Sequence, residues 1–200
     1  MIDVDGSAHS GSGTIVRNAA AYAALTGQPV RVRNARAQRQ RPGLRPPHLR
    51  VIQAIRDLVG GSIAGAEIGS RSFEFRPGKR RTRGPVCVGH RHGRLGTMLA
   101  LSVLPVLSLR GRGAEAEIRG GLFQDFAPSA FHLRHVIVPL LAQMGLAAEI
   151  EIIRPGYPSR RAGRHPAGRP GMRAAAAPAR APPRPGTRAG LGNRAGIPPG

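Results

Sequence analysis

The 200-residue sequence has no tryptophan, one cysteine, one lysine and only 10 acidic residues against 31 basic ones. A lone Cys87 excludes an intramolecular disulfide framework and fits a reducing, cytoplasmic setting. No apolar run is long enough to span a membrane, and the first residues lack the basic start, apolar stretch and small-residue cleavage site of a secretory signal. The shortage of acids leaves a net charge of +21, which invites a nucleic-acid partner. That charge is unevenly placed. Residues 79–96 and 154–200 contain no acid and together carry +16 of it, whereas residues 1–78 carry +6 and residues 97–153 carry −1. Nearly every cation is arginine, and alanine, glycine and proline are abundant. This bias reads as GC-rich coding before it reads as a selected basic surface. The folded part is left near +5, a mild preference for an anionic substrate.

Hydrophobic periodicity orders the chain into alternating strands and helices. Met1–Asp5 alternates as a short strand. Gly6–Gly13 is a flexible loop, and Thr14–Thr26 is a helix with Ile15, Ala19, Tyr22 and Ala23 on one face, capped by Ser12 or Thr14 and ended by Gly27. Pro29–Asn34 is a strand with Val30 and Val32 inward. A basic loop broken by Pro and Gly covers 36–46. Pro47 opens a helix whose apolar side is Val51, Ile52, Ile55 and Leu58, and strands follow near Ile63–Ile68 and Arg71–Arg76. A second series echoes the first: helix 97–109, strand 115–119, loop 120–126, helix 128–144 and strand 146–153. His48-Leu-Arg-Val-Ile52 in one helix has a counterpart in His132-Leu-Arg-His-Val-Ile137 of the other. The expected fold class is therefore α/β, with two repeated units (1–78 and a partial 97–153), each packing two helices on a β-sheet. They are separated by an aberrant linker at 79–96. Residues 154–200 hold 10 Pro, 9 Gly and 10 Arg and almost no large apolar side chain, so a disordered tail is expected there.

The strand, Gly-rich loop and helix at 2–26 can turn backbone N–H groups and a helix N-terminus toward phosphate, or be an ordinary tight connection. No Gly-Lys-Ser/Thr follows, so it is not a Walker loop. Arg17 lies one turn into the helix, and Arg36 and Arg39 flank a turn before Pro42-Gly43. Guanidinium groups suit bidentate phosphate binding, although loop arginines are as a rule merely solvated. His48 stands at a helix start, a place where a lone histidine is more often structural. Cys87, His90 and His92 are three candidate metal ligands without a fourth, and no metal site is assigned to them.

Several phrases stand out: Asp5-Gly6 with Gly11-Ser-Gly-Thr-Ile-Val-Arg17, Ala24-Leu-Thr-Gly-Gln-Pro29, Asn34-Ala-Arg-Ala-Gln-Arg39 and Arg41-Pro-Gly-Leu-Arg-Pro-Pro-His-Leu49. Gly65-Ala-Glu-Ile-Gly-Ser70, Phe75-Arg-Pro-Gly78, Gly120-Gly121, Ala127-Pro128 and Pro139-Leu-Leu-Ala-Gln-Met-Gly145 complete the set. In order and spacing they resemble the RNA 3'-terminal phosphate cyclase family. The resemblance implies a large domain of repeated α/β units with a smaller inserted domain. It implies ATP as cofactor, with Mg2+ a candidate companion, and RNA 3' ends as partner. The implied chemistry is adenylation of a histidine, transfer of AMP to an RNA 3'-phosphate, and attack by the 2'-hydroxyl to give a 2',3'-cyclic phosphate. It makes Gly11, Gly13, Arg17, Arg36, Arg39 and His48 candidate nucleotide- or phosphate-binding residues.

The chain departs from the family in several places. Ser10-Gly-Ser-Gly-Thr14 stands where the family has Glu-Gly-Gly-Gly-Gln. Pro47 replaces a glutamine, and Leu101 stands at a glutamine often used at the nucleotide. The nucleophilic histidine of the family lies farther downstream, and no histidine here matches its position, so no catalytic residue is assigned. Val86-Cys-Val-Gly-His-Arg-His-Gly-Arg-Leu95 stands where the family reads Tyr-Val-Trp-Asp-Ile-Gly-Thr-Ala-Gly-Ser. A GC-rich coding of that phrase, shifted back by one nucleotide, translates into the observed residues one for one. Residues 79–96 are therefore read as out-of-frame text, as is the tail after Tyr157. The expectation is a family member by descent that is inactive as this chain. The rivals are a non-catalytic RNA-binding or ribosome-maturation relative and the product of a pseudogene.

Overall fold

The computed structural model describes residues 1–78, 86–89, 96–110, 114–125, 127–156 and 171–177. The fold is mixed α/β, with two four-stranded sheets. In the first half the order is β1 (Ile2–Asp5), α1 (Gly13–Thr26), β2 (Val30–Arg33), α2 (Pro46–Val59), β3 (Gly61–Ala64) and β4 (Phe73–Pro77). The second half runs β5 (Val86–Gly89), α3 (Gly96–Arg110), β6 (Glu115–Arg119), α4 (Ala130–His132), a π-helical turn (Leu133–Ile137), α5 (Val138–Gln143), β7 (Ala148–Arg154) and β8 (Gly171–Ala176). The sheets are ordered β1-β2-β4-β3 and β5-β6-β8-β7. Each has one parallel pair, β1/β2 or β5/β6, followed by two antiparallel pairings. The two sheets thus share one strand order and one set of pairing senses.

The elements form where local chemistry favours them. Ser12 caps α1, its hydroxyl accepting from the Thr14 N–H at 3.3 Å, and Gly27 closes the helix in the left-handed conformation at φ 71°. Two prolines open α2, where the missing N–H groups cost nothing. Val30 and Val32 of β2 turn inward beside Phe73 and Phe75 of β4, and Val51, Ile52, Ile55 and Leu58 of α2 are fully buried over them. Helix α3 is apolar almost all round. It packs against α1 and α2 on one side and the second sheet on the other, joining both halves in one core. No helix of the described residues is long and apolar enough to cross a membrane.

Three expectations are corrected. Tyr22 is exposed, and Val16 takes its place on the buried face of α1 with Ala19, Ala20 and Ala23. Val86–Gly89, inside the segment read as an aberrant linker, pairs with β6 as β5. Within the tail expected to be disordered, Gly171–Ala176 is a strand lying between β6 and β7, with Met172 and Ala174 fully buried. The candidate ligands His90 and His92, the Cys87 side chain and residues 157–170 and 178–200 of the tail lie outside the described residues.

Candidate phosphate-binding site

Because β1 and β2 run parallel, the loops that leave them emerge at the same edge of the first sheet, where α1 and α2 begin. The Gly6–Ser12 loop leads into α1, and the 34–45 loop leads into α2. Backbone hydrogen bonds stitch these loops to each other and to the 65–72 turn. Gly6 N–H donates to the Arg33 carbonyl at 2.7 Å, Gly43 N–H to Ala35 at 2.9 Å, and Leu44 N–H to Ser70 at 2.9 Å. The Gln38 amide donates to the Ser7 carbonyl at 2.6 Å. Gly11 (φ 51°) lies so close to Gln38 that a Cβ there would press on it.

The candidate side chains converge on this junction. Arg17 is 6% exposed, and its Nη2 donates to Thr14 Oγ1 at 3.1 Å. Arg36 has φ 57°, a left-handed conformation that costs a non-glycine residue about 1–3 kcal/mol. Its own guanidinium holds the turn: Nη1 donates to the carbonyls of Arg41 at 2.8 Å and Gly43 at 2.9 Å. Neighbouring Asn34 and, across the junction, His9 also have positive φ. Arg39 is exposed at the rim, within electrostatic reach of Arg36.

His48 sits in the centre, 7% exposed. Its Nδ1 accepts the Arg45 backbone N–H at 3.1 Å, and its Nε2 faces Gly13 so closely that a Cβ on Gly13 would collide with it. This is half of a capping box, with an imidazole in the place usually taken by a carboxylate or amide. Burial, and then the positive charges of Arg36, Arg17 and Arg45, push the His48 pKa down to about 3. Burial and Arg36 lower that of Arg17; burial, Arg45 and Arg39 lower that of Arg36.

No carboxylate acts on Arg17, Arg36 or His48 among the described residues. Elsewhere the arginines find acids. Glu74 pairs with Arg31 at 2.6 Å and Arg76 at 3.2 Å, Asp3 pairs with Arg33, Glu117 with Arg119, and Glu151 with Arg173. Arg17 is buried and Arg36 partly buried with no acid acting on either, so the cluster keeps a positive charge that an anion would balance. The structure thus brings Gly13, Arg17, Arg36 and His48 together, with Gly11 in the supporting turn and Arg39 at the margin. It adds Arg45, which the sequence reading passed over. The signal for it was a histidine three residues after a helix N-cap, placed to receive the cap's backbone N–H.

Comparison with known proteins gives the family. The family profile described as RNA 3'-terminal phosphate cyclase matches residues 8–169. The RNA 3'-terminal phosphate cyclase of Thermococcus onnurineus is 41% identical over 157 residues, covering 78% of this chain and 45% of that protein. That of Methylococcus capsulatus is 38% identical over 163 residues, with coverage of 78% and 45%. That of Desulfurococcus amylolyticus is 34% identical over 162 residues, with coverage of 78% and 44%. The chain spans less than half the length of these relatives. It belongs to the RNA 3'-terminal phosphate cyclase family.

Proposed function

We propose that this chain carries the phosphate-binding part of an ATP-dependent RNA 3'-end-modifying enzyme and is catalytically silent by itself. One observation carries this reading: Arg17, Arg36 and Arg45 act on His48, near the start of α2, where it faces Gly13 at the start of α1, with no acid among the groups acting on them. Such a site fits the phosphates of a nucleotide or an RNA 3' end. No carboxylate acts on its arginines, so Mg2+ would be carried chiefly by the phosphates themselves.

In the full reaction a histidine nitrogen attacks the α-phosphorus of ATP and expels pyrophosphate. The RNA 3'-phosphate takes the AMP and frees the histidine. The 2'-hydroxyl then attacks the 3'-phosphorus, loses its proton and expels AMP. The residues described here would bind and orient phosphate during these steps. His48 does not suit the nucleophile, because it is buried against Gly13.

The test is incubation of the full chain with ATP labelled on the α-phosphate. The expected outcome is saturable nucleotide binding that Arg17→Ala and Arg36→Ala weaken, with no covalent AMP adduct. A stable adduct would overturn the catalytic silence, and binding unaffected by both variants would overturn the site. Ser10, in the place of the family glutamate, favours a second reading: an RNA-binding protein that needs no ATP. RNA 3'-phosphate binding that is unchanged by ATP would select it.

A further inference from the structure

We propose that the chain binds a second copy of itself head to tail, the outer side of the α4–α5 helical run of one copy seating on β1 and the exposed stripe of α1 of the next. The proposal stands apart from the phosphate site. It starts from the way the two halves of the chain already meet. Their shared strand order makes β5 the counterpart of β1, α3 the counterpart of α1, and the α4–α5 run the counterpart of α2. Helix α2 packs against α3 and β5 of the second half, and α1 also packs against α3. Carried one step further, the same junction sets the α4–α5 run against the α1 and β1 of another copy.

Both faces are apolar and open where that junction needs them. The π-helical turn at Leu133–Ile137 takes an extra residue, so Phe131, Val136, Leu140 and Met144 lie along one side of the run, opposite the buried Leu133 and Val138. The Phe131 ring is held against Phe123, with centroids 5.1 Å apart. On the other face, Met1 and Ile2 of the β1 segment and Tyr22 of α1 are exposed. Only Ile68 and Ile153 complete the set of exposed large apolar side chains among the described residues. Exposed apolar residues gathered in one place, unlike single scattered ones, mark contact surfaces. The helix starts give a second sign. With Gly13 set against Gly96, the exposed Thr14, Asn18 and Tyr22 of α1 correspond to Thr97, Leu101 and Pro105 of α3. Thr97 is fully buried and the other two are half-buried. The stripe that is covered on α3 is open on α1.

Charge selects the same two faces. With 31 basic residues in the chain, most surfaces of two copies repel each other. Residues 1–30 contain one arginine and no lysine, and that arginine, Arg17, is buried. Residues 130–144 contain Arg134 alone. Joining these faces therefore brings no two exposed arginines together, and Asp3 and Asp5 lie on the β1 side. The contact is between two different surfaces, so each added copy still presents a free face at either end.

The test is sedimentation equilibrium of the full chain at high salt, where repulsion between basic copies is screened. The weight-average mass should rise with concentration. Leu140→Glu and Tyr22→Glu, both at exposed positions, should each hold the chain as a monomer with an unchanged far-UV circular dichroism spectrum. Mixed together, the two variants should form a complex of two chains and nothing larger, because each supplies the face the other has lost. Met144→Glu, at the most exposed of these positions, replaces Leu140→Glu should that variant fail to fold. A parent chain that stays monomeric throughout would overturn the proposal, and so would association that both variants leave intact. Tyr22→Glu associating like the parent while Leu140→Glu does not would indicate a two-fold contact of the α4–α5 run with itself, and would overturn the head-to-tail assignment.

Discussion

At the residue scale, the junction of the two loops depends on what touches Gly13 and His48. Gly13→Ala would drive a methyl group into the imidazole, and overpacking of this kind costs about 1–3 kcal/mol. A shift of the chemical-denaturation midpoint, together with lost phosphate affinity, is the expected result. His48 also makes stability depend on pH. Its pKa is lowered in the fold, so the unfolded chain binds the proton more readily. The contribution is complete above the unfolded value near 6.5 and is lost as pH falls toward about 3. The slope across that window should approach, on the order of, 1.4 kcal/mol per pH unit, and His48→Gln should remove it in urea titrations at pH 7.5, 5.5 and 4.5. Asp5, Glu74 and Glu117 have lowered pKa values as well, so they add their own acid sensitivity at lower pH, which the variant retains. Arg17, Arg36, Arg39 and His48 were legible in the sequence because their spacing matches a family pattern. Arg45 was harder to read, because it acts through a backbone N–H and a charge felt at a distance, and its only mark in the sequence is the histidine three residues on.

At the element scale, two features run against local propensity. Pro105 lies inside α3, where it removes a backbone hydrogen bond and crowds the preceding turn. The helix persists because Leu99, Val103, Leu104, Val106 and Leu107 are buried around it. Pro105→Ala should therefore raise stability, by about 1–3 kcal/mol, read from the thermal midpoint. The other feature is β8, a Gly-Met-Arg-Ala-Ala-Ala segment that reads as neither strand nor core, yet takes a central place with partners on both sides. Ala174→Glu would put an unpaired carboxylate at a fully buried position, a loss on the order of 3 kcal/mol or more. Amide exchange should then quicken in Glu115–Arg119 and Ala148–Arg154 and stay slow in Val30–Arg33. Strands β2 and β6 and helices α1 and α2 could be read from their apolar periods, and α3 from its continuous apolar run. β5 and β8 could not, because sheet pairing rather than side-chain propensity makes them strands. The π-helical turn at Leu133–Ile137 also escaped, since the apolar spacing that predicts a continuous helix tolerates one extra residue per turn.

At the scale of the whole molecule, a net charge of +21 is a poor guide to specific binding, because most of the exposed sheet arginines already have acidic partners. The informative quantity is the change in salt dependence on removing a single cation. Binding of a single-stranded RNA with a 3'-phosphate should weaken with salt, and Arg36→Ala should reduce the log–log slope by about 0.7, the share of one phosphate contact on a single strand. An Arg50→Ala control, at an exposed position on α2 away from the cluster, should change affinity little. The shared strand order of the two sheets has a temporal consequence during translation. The first sheet has all its strands once Pro77 has left the ribosome, but the second receives its third-position strand last, from Gly171–Ala176. Until that segment emerges, β6 and β7 each present an open edge to the crowded space around the ribosome. The nascent chain therefore passes through an interval in which a chaperone that shields strand edges would govern its yield.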